Sequence, residues 1–357
     1  MVVGWEWDES LFAGAAAYYR RGRLPYAPGW VEVLAEELGL DGRGRLLDVG
    51  CGPGTLALPL AHWFGEVVGV DPDRGMIAEA ERAAGELGVA SRARWVRARA
   101  EELPAGLGTF GVVAFGQSFH WVERERVAAT VMGMLRPGGT LVHVSDLKEN
   151  ENEKAEGLGE YGAGTPAHSA PEVSAARYRA DPVPEAMSTR CRADSAPEVT
   201  STRRLTPPAP TDSPPDELPY LADELPYPAV PYEAIGEVVR RYLGPVRRAG
   251  RGVLPRGTPG GEAEVFARAG FAGPRRCVVP GGQVLVRSVD EVVAWTFSMS
   301  FSAPHLFGAE LPAFEEELRR LLYEASPVGR FSARQPGTEV FLWRKDRSAV
   351  DPGGPTG

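Results

Sequence analysis

Three glycines at alternate positions, Gly50, Gly52 and Gly54, follow Asp48 in the run Arg45-Leu46-Leu47-Asp48-Val49-Gly50-Cys51-Gly52-Pro53-Gly54-Thr55. Glycine has no Cβ to hold a ligand away and accepts the left-handed angles of a sharp turn, so this run lets a small organic molecule lie against the backbone. A second carboxylate, Asp71, comes about 20 residues after the first glycine, where this kind of turn pairs with an acceptor for ribose hydroxyls. Ionised, Asp71 also repels a 2′-phosphate and favours an unphosphorylated nucleoside. A third group, Gly116-Gln117-Ser118-Phe119-His120-Trp121, brings an amide, a hydroxyl, an imidazole and two aromatic rings together. With an unperturbed pKa near ~6.5, His120 is either a base for a hydroxyl nucleophile or a structural hydrogen-bonding residue.

These groups need a rigid frame. Leu46, Leu47 and Val49 form the short apolar run of a central parallel strand, and Leu56, Leu58 and Leu60 open a helical stretch ending near Phe64. Glu66 to Val70 is a second strand, and Phe110 to Phe115 reads as a fourth. The spacing G-x-G-x-G differs from the dinucleotide fingerprint G-x-G-x-x-G, which disfavours a nicotinamide dehydrogenase.

The ordered set of motifs resembles the class I S-adenosylmethionine-dependent methyltransferases. Asp48 to Gly54 is similar to the family's first motif, and Val70-Asp71-Pro72-Asp73 followed by Met76 to its acidic second-strand motif. Arg99-Ala100-Glu101-Glu102-Leu103-Pro104 resembles the segment that meets the adenine, and Leu135 to Val142 the turn into the fifth strand. The resemblance implies a Rossmann-like α/β fold with a seven-stranded sheet in the order 3-2-1-4-5-7-6, strand 7 antiparallel, and a helical lid. It implies S-adenosyl-L-methionine as cofactor, held by Asp48, Gly50, Cys51, Gly52, Gly54, Asp71, Pro72, Met76, Ala100, Glu101 and Gln117. The segment from Phe12 through Tyr18, Tyr19, Arg23 and Tyr26 to Pro28, taken with Gln117 to Trp121, is similar to the subgroup around trans-aconitate and related small-molecule methyltransferases. Here the subgroup's Tyr-Arg-Pro order is replaced by Gly22-Arg23-Leu24-Pro25-Tyr26. The candidate acceptor pocket comprises Tyr18, Tyr19, Arg23, Tyr26, Phe119, His120 and Trp121, with Trp295 and Ser298 from the lid, and the expected acceptor is a carboxylate or hydroxyl oxygen.

Composition narrows the alternatives. With 39 Lys and Arg against 48 Asp and Glu, the net charge of −9 repels phosphate backbones over long range, so nucleic acid is not the expected partner. No apolar run approaches the ~20 residues of a spanning helix and no signal core is seen, so a cytoplasmic chain without membrane contact is expected; monomer and homodimer both stay open. Cys51, Cys191 and Cys277 are too scattered for a disulfide scaffold, and no metal site is expected. An amino-directed nucleic-acid enzyme needs an Asn/Asp-Pro-Pro-aromatic run after strand four; Asp212-Ser213-Pro214-Pro215 lies elsewhere and lacks the aromatic residue. Arg240, Arg241, Arg247, Arg248 and Arg251 form either an anion site or a solvated face. An RNA- or protein-directed methyltransferase and a non-catalytic cofactor binder remain the competing functions.

The pattern sorts the chain into four parts: 1–146, the N-terminal segment and cofactor-binding half; 147–228, a low-complexity insert; 229–346, the remainder with the lid and final hairpin; and 347–357, a flexible tail. The insert is rich in Pro, Ser, Thr, Ala and charge and carries imperfect repeats, such as Asp216-Glu217-Leu218-Pro219-Tyr220 recurring at Asp223 to Tyr227. It cannot bury enough apolar area to offset its ordering entropy, so it is expected to be disordered. Deleting residues 149–226 should leave melting temperature and cofactor affinity nearly unchanged, because closure cost grows only as the logarithm of loop length; scanning fluorimetry and calorimetry check this. Beyond it, Ile235, Val238, Val239, Tyr242 and Leu243 make one helical stripe. Glu262 to Ala269, Val289 to Ser300 and Leu311 to Tyr323 are expected helices, with Arg276–Val279 or Gln283–Val286 as penultimate strand and Thr338–Trp343 as the last.

Overall fold

The computed structural model describes residues 10–147, 225–249, 252–253 and 260–346. Most of the insert, its repeats, Asp212 to Pro215, Cys191, Arg251 and the tail lie outside these residues.

Seven strands form the main sheet: β1 Arg45–Val49, β2 Glu66–Asp71, β3 Ala93–Arg97, β4 Phe110–Gly116, β5 Leu135–Asp146, β6 Ala272–Val279 and β7 Thr338–Arg344. Their order is β3-β2-β1-β4-β5-β7-β6. The first five pair in parallel, and β7 runs antiparallel to both β5 and β6. This is the expected order. The order reverses on either side of β1, so β1 and β4 splay their connections to opposite faces and leave a crevice at their C-terminal ends.

Successive side chains of β1 enter different cores because strand residues alternate between faces. Leu46 packs with Leu60, Val67, Val112 and Val142 under Trp30 and Leu34. Leu47 and Val49 pack on the other face with Val68, Val113, Phe115 and Phe266. Helices cover both faces. On the first lie α2 Trp30–Leu38, α3 Ala57–Leu60 and α4 Arg74–Glu86; on the second lie α5 Arg124–Met134 and α7 Glu262–Arg268. Burying an aromatic side chain such as Phe115 or Phe266 contributes about 1.5–3 kcal/mol relative to leaving it in water.

A third core belongs to the lid. It is built from α6 Tyr232–Leu243, α8 Val289–Phe297 and α9 Leu311–Ala325, with an antiparallel ribbon of Val284–Ser288 and Arg330–Arg334. Ile235, Val238 and Val239 of α6 meet Phe297, Phe314, Leu318 and Phe331 there. The choice left open for the penultimate strand is resolved by pairing: Arg276 to Val279 lie in β6 of the main sheet, whereas Val284 to Ser288 pair only within the ribbon.

The N-terminal helix Ala16–Gly22, numbered α1 in chain order, joins this lid. A Cβ on Gly22 would stand 2.4 Å from the Ala294 carbonyl, so only glycine lets α1 cross α8 so closely. The buried Arg287 guanidinium closes the contact, donating to the carbonyls of Arg21 at 2.8 Å, Gly22 at 2.9 Å and Glu291 at 3.2 Å. Among the described residues, no helix is long and apolar enough to cross a membrane.

Candidate active site

The crevice at the β1/β4 switch point is a cleft lined by the turns that leave β1, β2 and β4. Each strand delivers one kind of contact. Gly50 and Gly52 bring the turn after β1, Asp71 ends β2, and Gly116 with Gln117 leaves β4. Pro72, Met76, Ala100 and Glu101 line the same space. Tyr19 and Trp121 close it, with Phe12 edge-on to both rings at 6.4 and 6.0 Å.

The glycines have separate jobs. Gly50 has φ +68, and a Cβ there would lie 2.6 Å from the Ser118 Cβ, so it allows the turn to pack on the exit of β4. Ser118 reinforces that contact by donating its hydroxyl to the Val49 carbonyl at 2.5 Å. Gly52, at φ +52, would meet no protein atom within 4 Å; its missing side chain leaves room in the cleft it lines. Gly54 does not line the cleft. A Cβ there would clash with Leu58 at 2.8 Å, so it serves helix–sheet packing.

Two carboxylates define the charge. Asp71 accepts from the Gly52 amide and from the Asp73 amide, both at 2.9 Å, and burial raises its pKa to about 6 against the relief these amides give. Asp73 in turn caps α4 by accepting from Met76 N–H at 2.9 Å. Asp48 is 1% exposed, and only the Ala57 amide offers its carboxylate relief, too weakly aligned to offset burial. Burial, and then the charge of Asp71, push its pKa up to about 7.

Several expected site residues stand elsewhere. Asp48 and Cys51 lie behind the cleft wall rather than on it; the Cys51 thiol is buried and its pKa is raised well above the usual thiol range by that burial. Phe119 is a core residue: a short 3₁₀ turn, Phe119–Trp121, carries its ring to within 4.9 Å of Phe115 and 4.4 Å of Phe266. Tyr18 packs on Phe297 at 5.0 Å, Trp295 on Tyr232 at 4.7 Å, and Ser298 is fully buried. The Ser298 carbonyl has a use, however, because it accepts from Arg23 at 3.1 Å. Arg23 also lies 5.0 Å from the Tyr19 ring centroid. Tyr26 comes within van der Waals reach of Gly116, and burial raises the pKa of its phenol well above the usual range. Glu101 already accepts from the Glu123 amide at 2.9 Å and faces Arg99 at 3.4 Å.

His120 differs most from its sequence description. Burial pushes its pKa down to about 3, and His143, Arg247, Arg124 and Arg23 add to that push. The imidazole is neutral across the physiological range, which favours the structural role of the two left open for it over that of a base. Of the arginines grouped as an anion site or solvated face, Arg241 pairs with Glu317, while Arg247 stacks over Phe301 at 5.0 Å and sends its field to His120. Leu11, Phe12 and Asp73, which are not among the expected site residues, also line the cleft; the Asp-x-x-Met cap was the available signal for Asp73.

Residues 46–139 match the methyltransferase domain family. This is a class I S-adenosylmethionine-dependent methyltransferase domain. An uncharacterised methyltransferase of Mycobacterium bovis, Mb3374, is 34% identical over 154 residues, covering 43% of this chain and 59% of that protein. The probable S-adenosylmethionine-dependent methyltransferase CRG1 of Saccharomyces cerevisiae is 30% identical over 127 residues, 35% of this chain and 43% of the relative. A ubiquinone biosynthesis O-methyltransferase of Azorhizobium caulinodans is 40% identical over 97 residues, 25% and 38% of the two chains. The chain spans about half the length of the curated relatives it matches.

S-adenosyl-L-methionine is the cofactor of this methyltransferase domain, and the cleft fits it. Gly52 leaves space at the turn, Asp71 keeps lone pairs free after accepting two amides, and Asp48 adds a buried carboxylate behind the same turn.

Proposed function

We propose that this protein transfers a methyl group from S-adenosylmethionine to a carboxylate oxygen of a small organic acid. The observation that carries the reading is the field around His120: a neutral, desolvated imidazole with Arg23, Arg124 and Arg247 acting on it together. An anionic acceptor complements that field. It needs no base, because a carboxylate is ionised and nucleophilic at neutral pH. The name of the Azorhizobium relative supports oxygen as the atom modified.

When bound, the cofactor supplies the methyl group and a neutral sulfur leaving group for an in-line displacement. The chain's task is then position and exclusion of water. In this reading Asp71 accepts from the ribose hydroxyls, and Asp48 and the Gly50–Gly52 turn hold the methionine end. The Ala100 backbone takes the adenine, with Glu101 contributing what its bonds to Glu123 and Arg99 leave over. Tyr19, Trp121 and Phe12 exclude water, and Arg23, steadied by the Ser298 carbonyl, draws the acceptor's anionic group.

The test is to incubate the protein with methyl-labelled S-adenosylmethionine and a panel of small carboxylic acids, then treat the product with alkali. A carboxyl methyl ester releases labelled methanol. A base-stable product would move the acceptor to a hydroxyl, the second reading, which would require cofactor and acceptor to restore the basicity that burial takes from His120. The two readings separate at one residue. For a carboxylate acceptor His120→Ala is expected to change kcat by less than about tenfold, whereas loss of a general base costs about 10²- to 10⁴-fold. In either case kcat of the wild type, measured with the cofactor saturating so that Asp48 and Asp71 are held ionised, should show no inflection near pH 6.5, since the imidazole stays neutral there.

A further inference from the structure

Two arginines bind α1 to the lid, each closing a helix end across the seam. The last carbonyls of a helix have no partner within it and must find one elsewhere. In α1 the Tyr19 carbonyl accepts from the Arg23 amide at 2.9 Å, and the carbonyls of Arg21 and Gly22 accept from Arg287. A single guanidinium nitrogen, Nη2, serves both of these and the Glu291 carbonyl of α8. In return the carbonyl of Ser298, the residue after α8, accepts from Arg23 at 3.1 Å. These acceptors are neutral, so they hold the guanidinium groups without cancelling their charge. Arg287 is 6% exposed, whereas Arg23 is only half-buried and lies 5.0 Å from the centroid of the Tyr19 ring that closes the cleft.

Arg23 leaves the helix in extended backbone, φ −75 and ψ 142. A residue added to or lost from a helix turns the chain by about 100°, so the point at which α1 stops decides where the Arg23 side chain is aimed. We infer that Arg287 is a positioning residue for methyl transfer: by holding the end of α1 at Gly22 against the lid, it sets the place of the Arg23 guanidinium that meets the acceptor's carboxylate. The inference rests on the proposed carboxylate acceptor and on Arg23 as its anion contact.

Two probes separate this role from general packing: the acid of the panel that the wild type esterifies fastest, and S-adenosylhomocysteine for the cofactor end. Arg287→Met removes all three bonds. It is expected to raise the KM for the acid about tenfold or more, with kcat within about threefold and S-adenosylhomocysteine affinity nearly unchanged in calorimetry. Arg287→Lys keeps a cationic donor on a shorter stem and should recover much of the loss. The double variant of Arg287→Met with Arg23→Gln should be no weaker for the acid than Arg23→Gln alone, since one residue acts through the other. Should Arg287→Met fail to fold, Arg287→Lys carries the same test, with a smaller rise in KM confined to the acid. Equal losses for both probes, an unchanged KM in the folded variants, or additive losses in the double variant would overturn the inference while leaving the carboxylate acceptor standing. A wild type that esterifies no acid would overturn the carboxylate reading, and this inference with it.

Discussion

Asp71→Ala is expected to weaken S-adenosylmethionine binding by about 1.5–3 kcal/mol, roughly ten- to more than a hundredfold, the range for hydrogen bonds to a charged acceptor. The structure gives the loss two sources. One, on the proposed reading, is the acceptor for the ribose hydroxyls. The other is internal, because the same carboxylate accepts from Gly52 and Asp73, so its removal unpairs two amides and loosens both the glycine turn and the start of α4. Asp71→Asn keeps one acceptor oxygen for these amides and should lose less than alanine does. Calorimetry with S-adenosylhomocysteine decides the matter. Unchanged affinity in the alanine variant would place the nucleoside elsewhere in the cleft.

How legible the site was depends on the range over which each feature is determined. The glycine turn and Asp71 follow from local backbone needs, and β1, β2 and β4 carry them to the crevice as expected. Phe119 was misplaced because its neighbours in sequence, Gln117 and Trp121, do line or close the cleft, while the 3₁₀ turn rotates its ring into the core beside Phe266 of α7. The electrostatics of His120 depend on Arg23 before it and Arg247 far after it, a coincidence in space that no local pattern encodes. The same holds for the penultimate strand. Arg276–Val279 and Gln283–Val286 are equally short and apolar, and only their partners, β7 and the Arg330–Arg334 strand, tell them apart.

Asp48→Asn should make the cofactor-free protein more stable above pH 7 while weakening its hold on S-adenosylmethionine. The carboxyl group is buried, with only weak relief from the Ala57 amide, next to a second buried carboxylate. Its pKa rises from 3.8 to about 7 in the folded protein, and that of Asp71 from 3.8 to about 6. The folded state therefore binds more protons than the unfolded state between about pH 4 and 7. Stability from this pair is fully present below the unfolded pKa and is lost as pH rises through the folded values. His120 works in the opposite sense. Its folded pKa of about 3 lies below the unfolded value, so its contribution is present above about pH 6.5 and is lost as pH falls through the folded value. The two trends partly cancel in the wild type, and only the difference between wild type and variant isolates Asp48. Asparagine resembles the protonated acid, so the melting temperature of Asp48→Asn should equal that of wild type near pH 4.5 and exceed it increasingly up to pH 8. A cationic cofactor reverses the balance, because its charge favours the ionised pair. Binding to wild type at pH 6.5 should release about one proton, seen as a calorimetric enthalpy that depends on buffer ionisation, and the variant should release less. A variant that melts in parallel with wild type across this range, or releases as many protons, would show that the charge at Asp48 is compensated within the empty cleft. The poorly partnered carboxylate then reads as stability given up for affinity: it costs the free protein and is neutralised by the ligand it attracts.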